Sequence, residues 1–387
     1  MDRDGAAHGA RDSDRRHLLH AAALGAFMLL PVIAVIMALV EPRVLTRRAS
    51  GAVRDMTGAP VPLAGSAKRA LIFPPVLPAY LTVDEGSGHL AAAVTYQRTD
   101  IQSGLLRYVY PAAVQLPNAA TLGYNTAIPG DPEQIVALDA DAVFSWAHFS
   151  GSLAKIGTPV VRLRLDPRAN DGNSTAVWRL IGSVSGKQSR VEWLAERYAR
   201  ERERVLASLR DITRRPRVLY VYQTQPLIVA FGGTTEDRML TAVRATNVAG
   251  ALSGPALSIE ELLLLAPDII IVAGNGPGNE IQTLYDDPAL GELPAVRTRQ
   301  IYRQPTGGAR MAGLVEEPLM LQWLAEVLHP GEVPASFRRD LKATYAAVYG
   351  VALSDDAIDA TLHVDQHAGA SGFERFLAPT RTSARGN

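Results

Sequence analysis

From Ala70 onward the chain alternates between short apolar runs and amphipathic stretches. ALIFP (Ala70 to Pro74) is strand-like and ends in a Pro-Pro loop. Helix-like and strand-like segments then follow one another through LAAAVTY around Ala92, a helix at Glu133, AVFSW, a helix through Ser152 to Ile156, and PVVRLRL. Strands alternating with helices predict βα units and a mostly parallel sheet. That rhythm breaks between Gly186 and Ile212. Val191, Leu194, Tyr198, Val205, Leu209 and Ile212 recur there at helical spacing, interleaved with RYARERER. The pattern predicts one long amphipathic helix of roughly 40 Å with a solvated charged face.

After Pro216 the first rhythm returns. RVLYVY predicts a strand, and TTEDRMLTAVRATNVAG a helix opened by Thr234 or Thr235 and closed near Asn247 to Gly250. A helix at Glu260, the strand DIIIVAG, a loop, the strand QIYRQ and the helix VEEPLMLQWLAEVLHP come next, with Ser354 as an N-cap in the tail. EQIVALDADAVF (Glu133 to Phe144) and EELLLLAPDIII (Glu260 to Ile271) are one pattern written twice: Glu, apolar helix, Ala-Asp or Pro-Asp, strand. The predicted fold is therefore α/β, with two Rossmann-like lobes of mostly parallel sheet joined by one long helix. Its segments are a disordered leader (1–17), an apolar helix (18–40), a tether (41–65), a first lobe (66–185), the bridge (186–213), a second lobe (214–332) and a helical tail (333–387).

Leu18 to Val40 is almost uninterrupted apolar sequence, long enough to cross a bilayer. DRRHLL before it resembles a twin-arginine export signal with Asp14 where Ser or Thr is usual, and no A-x-A site follows. The run reads as an uncleaved signal-anchor, with a cleaved export peptide as the alternative. Arginines flank it on both sides, so charge gives no orientation. The chain has no cysteine, which excludes disulfides, thiolate metal sites and lipidation of a lipobox Cys. Its formal net charge of zero argues against a general nucleic-acid partner.

Ligands of open parallel sheets bind beyond the carboxyl ends of the strands. The strand ends deliver Tyr80, Tyr96 and Arg98, then Trp146 and His148, Tyr222, Asn275 and Arg310. These are the candidate ligand-binding residues: aromatics for a ligand wall, amides, and a guanidinium after two glycines that suits an anionic ligand. The histidines show no metal spacing, and neither a nucleophile elbow nor a paired set of acid/base carboxylates is present. No catalytic residue, resident metal or cofactor is assigned, and the reading is of a binding protein rather than an enzyme.

This layout resembles the class III solute-binding proteins of ABC importers, which capture ferric siderophores, cobalamin, haem and related metal chelates. The likeness runs from AVRDMTGAPVPL through both Glu corners to IYRQPTGGAR, EEPLMLQWLAEVLHP and SGFERF. It implies an extracytoplasmic protein, anchored or exported at the inner membrane. Such a protein binds an iron chelate or similar metal complex between its lobes and delivers it to an ABC permease dimer. By the same resemblance, Glu133 and Glu260 dock on arginines of that dimer, and the bridging helix limits closure to a small hinge motion. Ala140 departs from the family's Pro in the first corner, and an apolar run stands where a lipid anchor is usual. A membrane-anchored sensory ectodomain and a binder of oxyanions such as molybdate are the alternatives.

Overall fold

The computed structural model describes residues 53–119, 121, 128–164, 174–274, 279–308 and 314–378. The apolar run at 18–40, Asn275 and Arg310 lie outside them.

The first lobe holds strands β1 (Ala70–Ile72), β2 (Leu90–Val94), β3 (Asn118–Ala119), β4 (Ala142–Trp146) and β5 (Val160–Leu163), all parallel, in the order β3-β2-β1-β4-β5. Helices α1 (Leu77–Asp84), α2 (Thr95–Ser103), α3 (Leu106–Val109) and α4 (Pro132–Ala137) connect them, and α5 (Ser174–Ser185) follows β5. Both faces of the sheet are covered, so its strands are continuous apolar runs. Ala70 and Ile72 enter one core while Leu71 and Phe73 enter the other, as the two-residue strand period requires.

The chain then enters α6 (Gln188–Ala207). Val191, Leu194 and Tyr198 belong to the core of the first lobe, and Val205, Leu209 and Ile212 to that of the second. One stripe of a single helix is thus shared between two cores. The helix is shorter than its apolar stripe, about 30 Å at the standard rise, because Gly186 turns the chain with a positive φ of 77° before it and turns replace it beyond Ala207.

The second lobe has β6 (Arg217–Gln223), β7 (Ile228–Val229), β8 (Thr246–Asn247), β9 (Ile269–Val272) and β10 (Ile301–Arg303). Its order is β10-β9-β6-β7 with β8 also on β6; only β7 is antiparallel. Helices α7 (Thr235–Ala242) and α8 (Ile259–Leu265) precede β8 and β9, and α9 (Glu317–Leu328), α10 (Phe337–Tyr349) and α11 (Asp355–Thr361) close the chain. Two α/β lobes of mostly parallel sheet, as the alternating pattern predicts, are the architecture.

Several local expectations need correction. Helix α7 opens at Thr234, whose hydroxyl accepts from Asp237 N, but stops at Ala242. Arg244 takes a positive φ of 61° and the chain goes straight into β8. A 3-10 stretch at Ala147–Leu153 replaces the helix expected over Ser152 to Ile156. The stretch read as tether is packed from Val53 onward: Arg54 bridges Pro60, and Val61 and Leu63 are buried in the first lobe.

The tail is a second strut rather than an appendage. In α10, Phe337, Leu341 and Tyr345 lie in the core of the second lobe and Val348 in that of the first. The Tyr349 hydroxyl meets Thr82 Oγ1 at 3.1 Å, and Arg190 donates to Val348 O at 2.6 Å.

Candidate functional site

A backbone joint ties the loop after the last strand of the second lobe to the first lobe. The loop after β10 reaches Gly307 and Gly308, and the turn after α2 reaches Gly104 and Leu105. Leu105 N donates to Gly307 O at 2.6 Å. A Cβ on Gly104 would stand 2.1 Å from Gly308 O, so only glycine allows this approach. The buried carboxylate of Glu316 accepts from Gly308 N at 2.7 and 2.9 Å and from the Tyr345 hydroxyl at 2.7 Å. Its neighbour Glu317 accepts from Tyr198 and, at 3.4 Å, from Arg202 on the bridging helix. The pair VEEP thus ties the loop leading toward Arg310 to both lobes.

On the first lobe, β4 ends in half-buried Trp146, whose ring stacks with that of exposed His148 at 6.4 Å and 13°. Phe149 lies 4.1 Å from the same imidazole. Tyr96, half-buried in the first turn of α2, donates to Phe73 O at 2.8 Å. Trp146, His148 and Tyr96 therefore lie at the carboxyl ends of strands of one sheet.

On the second lobe, half-buried Tyr222 at the end of β6 donates to the Glu236 carboxylate in the first turn of α7. Burial, and then that carboxylate, hold the Tyr222 phenol far above the usual tyrosine range. Asn279 Nδ2 donates to Tyr222 O at 2.9 Å, joining the chain beyond β9 to the end of β6. Arg303, at the end of β10, donates to Gly274 O at 3.1 Å.

Two candidates do other work. Tyr80 is fully buried, edge-to-face on Phe144 at 6.0 Å, because Pro78 starts a helix rather than extending a loop. It belongs to the core and not to a ligand wall. Arg98 donates to Leu116 O at 2.8 Å and fastens α2 to the stretch that follows it. The two glycines before Arg310 were legible as a place of close backbone approach, and Gly308 is one. Sequence reasoning missed Gly104, Glu316 and Glu236; Gly104 and Glu316 act through partners far away in the chain, and the only local signal was a Glu-Glu pair opening an apolar helix. Among the described residues, no group of three or more His, Cys, Asp or Glu could hold a metal ion.

The repeated sequence is a repeated structure. Glu133 and Glu260 are both exposed and both occupy the second position of a helix, α4 and α8. Asp131 caps α4 by accepting from Glu133 N at 2.9 Å; Ser258 and Glu261 form a reciprocal capping box on α8. Ile135 and Leu262 are the buried anchors. Asp139 and Ala266 end the two helices with positive φ of 49° and 39°. Asp141 and Asp268 then accept from the amides of Arg69 (3.0 Å) and Arg217 (3.2 Å). Those arginines in turn donate to Leu138 O (2.8 Å) and Leu265 O (2.6 Å). Ala140 replaces Pro267 without loss of the corner.

Two lobes of mostly parallel sheet sharing one bridging helix have the architecture of class III binding proteins. The family model for the periplasmic binding protein matches residues 111–306, and the chain belongs to that family. Among solved structures, the chain is similar to a periplasmic solute binding protein from Veillonella parvula, with 23% identity and a TM-score of 0.70 over 82% of this chain and 98% of that one. It is also similar to the molybdate periplasmic binding protein MolA of Haemophilus influenzae (18%, TM-score 0.66, 78% and 99%). The periplasmic heme-binding protein RhuT of Roseiflexus sp. RS-1 is a third (21%, TM-score 0.56, 69% and 99%). At these identities the likeness is one of fold. No curated protein matches the sequence. No helix among the described residues is long and apolar enough to cross a membrane.

Proposed function

We propose that this chain is the extracytoplasmic substrate-binding component of an ABC importer. In this reading it captures an iron chelate or related metal complex between its lobes (66–185 and 214–332) and delivers it to a permease dimer. The run Leu18 to Val40 then serves as tether, raising the local concentration of receptor at its transporter. Trp146, His148, Tyr96 and Tyr222 are the ligand-facing residues of the described part, and Asn275 and Arg310 complete the set. Family membership supports the class of ligand carrier, and one solved relative is named for haem. A second reading, an oxyanion as cargo, is favoured by the likeness to the molybdate binder and by the guanidinium proposed at Arg310.

The observation that carries delivery is the corner built twice with the same hydrogen bonds. An acid at one equivalent exposed position in each lobe suits a partner that is itself two-fold. Charge at a helix N-terminus would favour Glu for stability alone, but by only about 0.3–1 kcal/mol. The test is the variant Glu133→Ala/Glu260→Ala in cells, with iron and molybdenum content measured by elemental mass spectrometry. Accumulation should fall to the level of a transporter-deficient strain while the protein remains folded and abundant. Accumulation equal to wild type would remove the docking role.

A further inference from the structure

Helices α4 and α8 expose more than their acids. Among the described residues, six large apolar side chains are exposed, and four of these, Val136, Ile259, Leu263 and Leu264, lie on the two corner helices. Leu264 is 84% exposed and Val136 53%. Burial explains Ile135 and Leu262 on the same helices, whereas Val136 and Leu264 are mostly uncovered and Ile259 and Leu263 keep over a third of their surface exposed.

Their positions are also repeated. Val136 lies three residues beyond Glu133 and Leu263 three beyond Glu260, which sets each on the same helix face as its carboxylate. Leu264 stands where the first corner has Ala137, and Ile259 where it has Pro132. One corner therefore presents an acid with one apolar neighbour, the other an acid ringed by three.

We propose that each corner docks through an apolar contact beside its carboxylate, with the second lobe carrying the larger share. This rests on the delivery reading above. The partner is an integral-membrane dimer presenting, at each of two related sites, a cation beside an apolar socket. Exposed ion pairs alone are weak and screened by salt. An apolar rim that excludes water around the pair raises its strength and lowers its salt dependence. The two negative corners supply the charge complementarity, and their two-fold repetition supplies the symmetry of the partner.

The experiment places a photoreactive benzophenone amino acid at position 136, 263 or 264 of the full chain in its native cells, with position 193 as control. Trp193 is exposed on the bridging helix and belongs to neither corner helix. Positions 136, 263 and 264 should cross-link to one integral-membrane subunit, identified by mass spectrometry, and position 193 should not. Leu263→Ser/Leu264→Ser should lower cross-linking from 136 by about tenfold or more, the effect of losing two buried apolar contacts. Val136→Ser should lower cross-linking from 263 by only about threefold. Equal effects would overturn the asymmetry, and cross-links only to a second copy of this chain would replace the partner. Absence of membrane cross-links, with Glu133→Ala/Glu260→Ala still blocking accumulation, would overturn the apolar contact and leave delivery standing. Absence of both would remove delivery as well.

Discussion

His367 shows how tightly one residue can be specified by its neighbours. Its Nε2 accepts from Arg303 N and its Nδ1 donates to His363 O, both at 2.8 Å, while the ring stacks on Phe373 at 3.8 Å. Only the neutral imidazole satisfies both bonds, because a proton on Nε2 would face another N–H. Burial above all pushes this histidine down to about 4, and burial followed by Arg303 pushes His363 to about 3. With folded-state values below the ordinary 6.5, the unfolded chain takes up protons first. Stability is therefore full above about pH 6.5 and falls as the pH drops toward 4, by on the order of 3 kcal/mol for His367. Urea unfolding at pH 7 and pH 4.5 should show that loss. His367→Phe should be less stable at pH 7 but flatter with pH; parallel curves for the two proteins would refute the assignment. At this scale the sequence revealed residue types more readily than roles. Tyr80 follows a strand and two prolines and reads as a loop residue, yet the helix begins at Leu77 and turns its ring into the core.

Elements are joined more firmly than their order along the chain suggests. Among the described residues the lobes are linked by the stripe of α6, the strut α10, the backbone joint of Gly104 with Gly307 and Gly308, and the Glu316–Glu317 pair. The joint predicts a specific sensitivity. Gly104 has φ −101°, so alanine suits its backbone, but the added methyl would overlap Gly308 O. Gly104→Ala should cost about 1–3 kcal/mol in equilibrium unfolding. It should also weaken ligand binding by displacing the loop that leads to Arg310. Wild-type stability and affinity would mean that the lobes can separate there freely. The alternation of strands and helices and both Glu corners were legible because local periodicity and capping encode them. The struts were not, because an amphipathic stripe shows that a helix is buried without showing against which lobe. The apolar pattern of Phe337 to Tyr349 is the same whether it serves one core or two.

At the scale of the whole molecule, two similar lobes share a bridging helix and a helical strut, and each carries an exposed acid-bearing corner. Family membership makes this a binding protein. In the proposed reading, the identity of its cargo rests on a few residues at the strand ends. Trp146 is the natural reporter: Trp178 and Trp323 are fully buried, and Trp193 sits on the bridging helix with Arg190 over its ring at 4.6 Å. The most direct test is to titrate the purified protein with ferric siderophores, haem, cobalamin and molybdate, following tryptophan fluorescence with calorimetry alongside. One ligand should quench saturably and release binding heat, and Trp146→Phe should abolish most of the fluorescence change. No saturable heat or fluorescence change with any of the four classes would contradict the account.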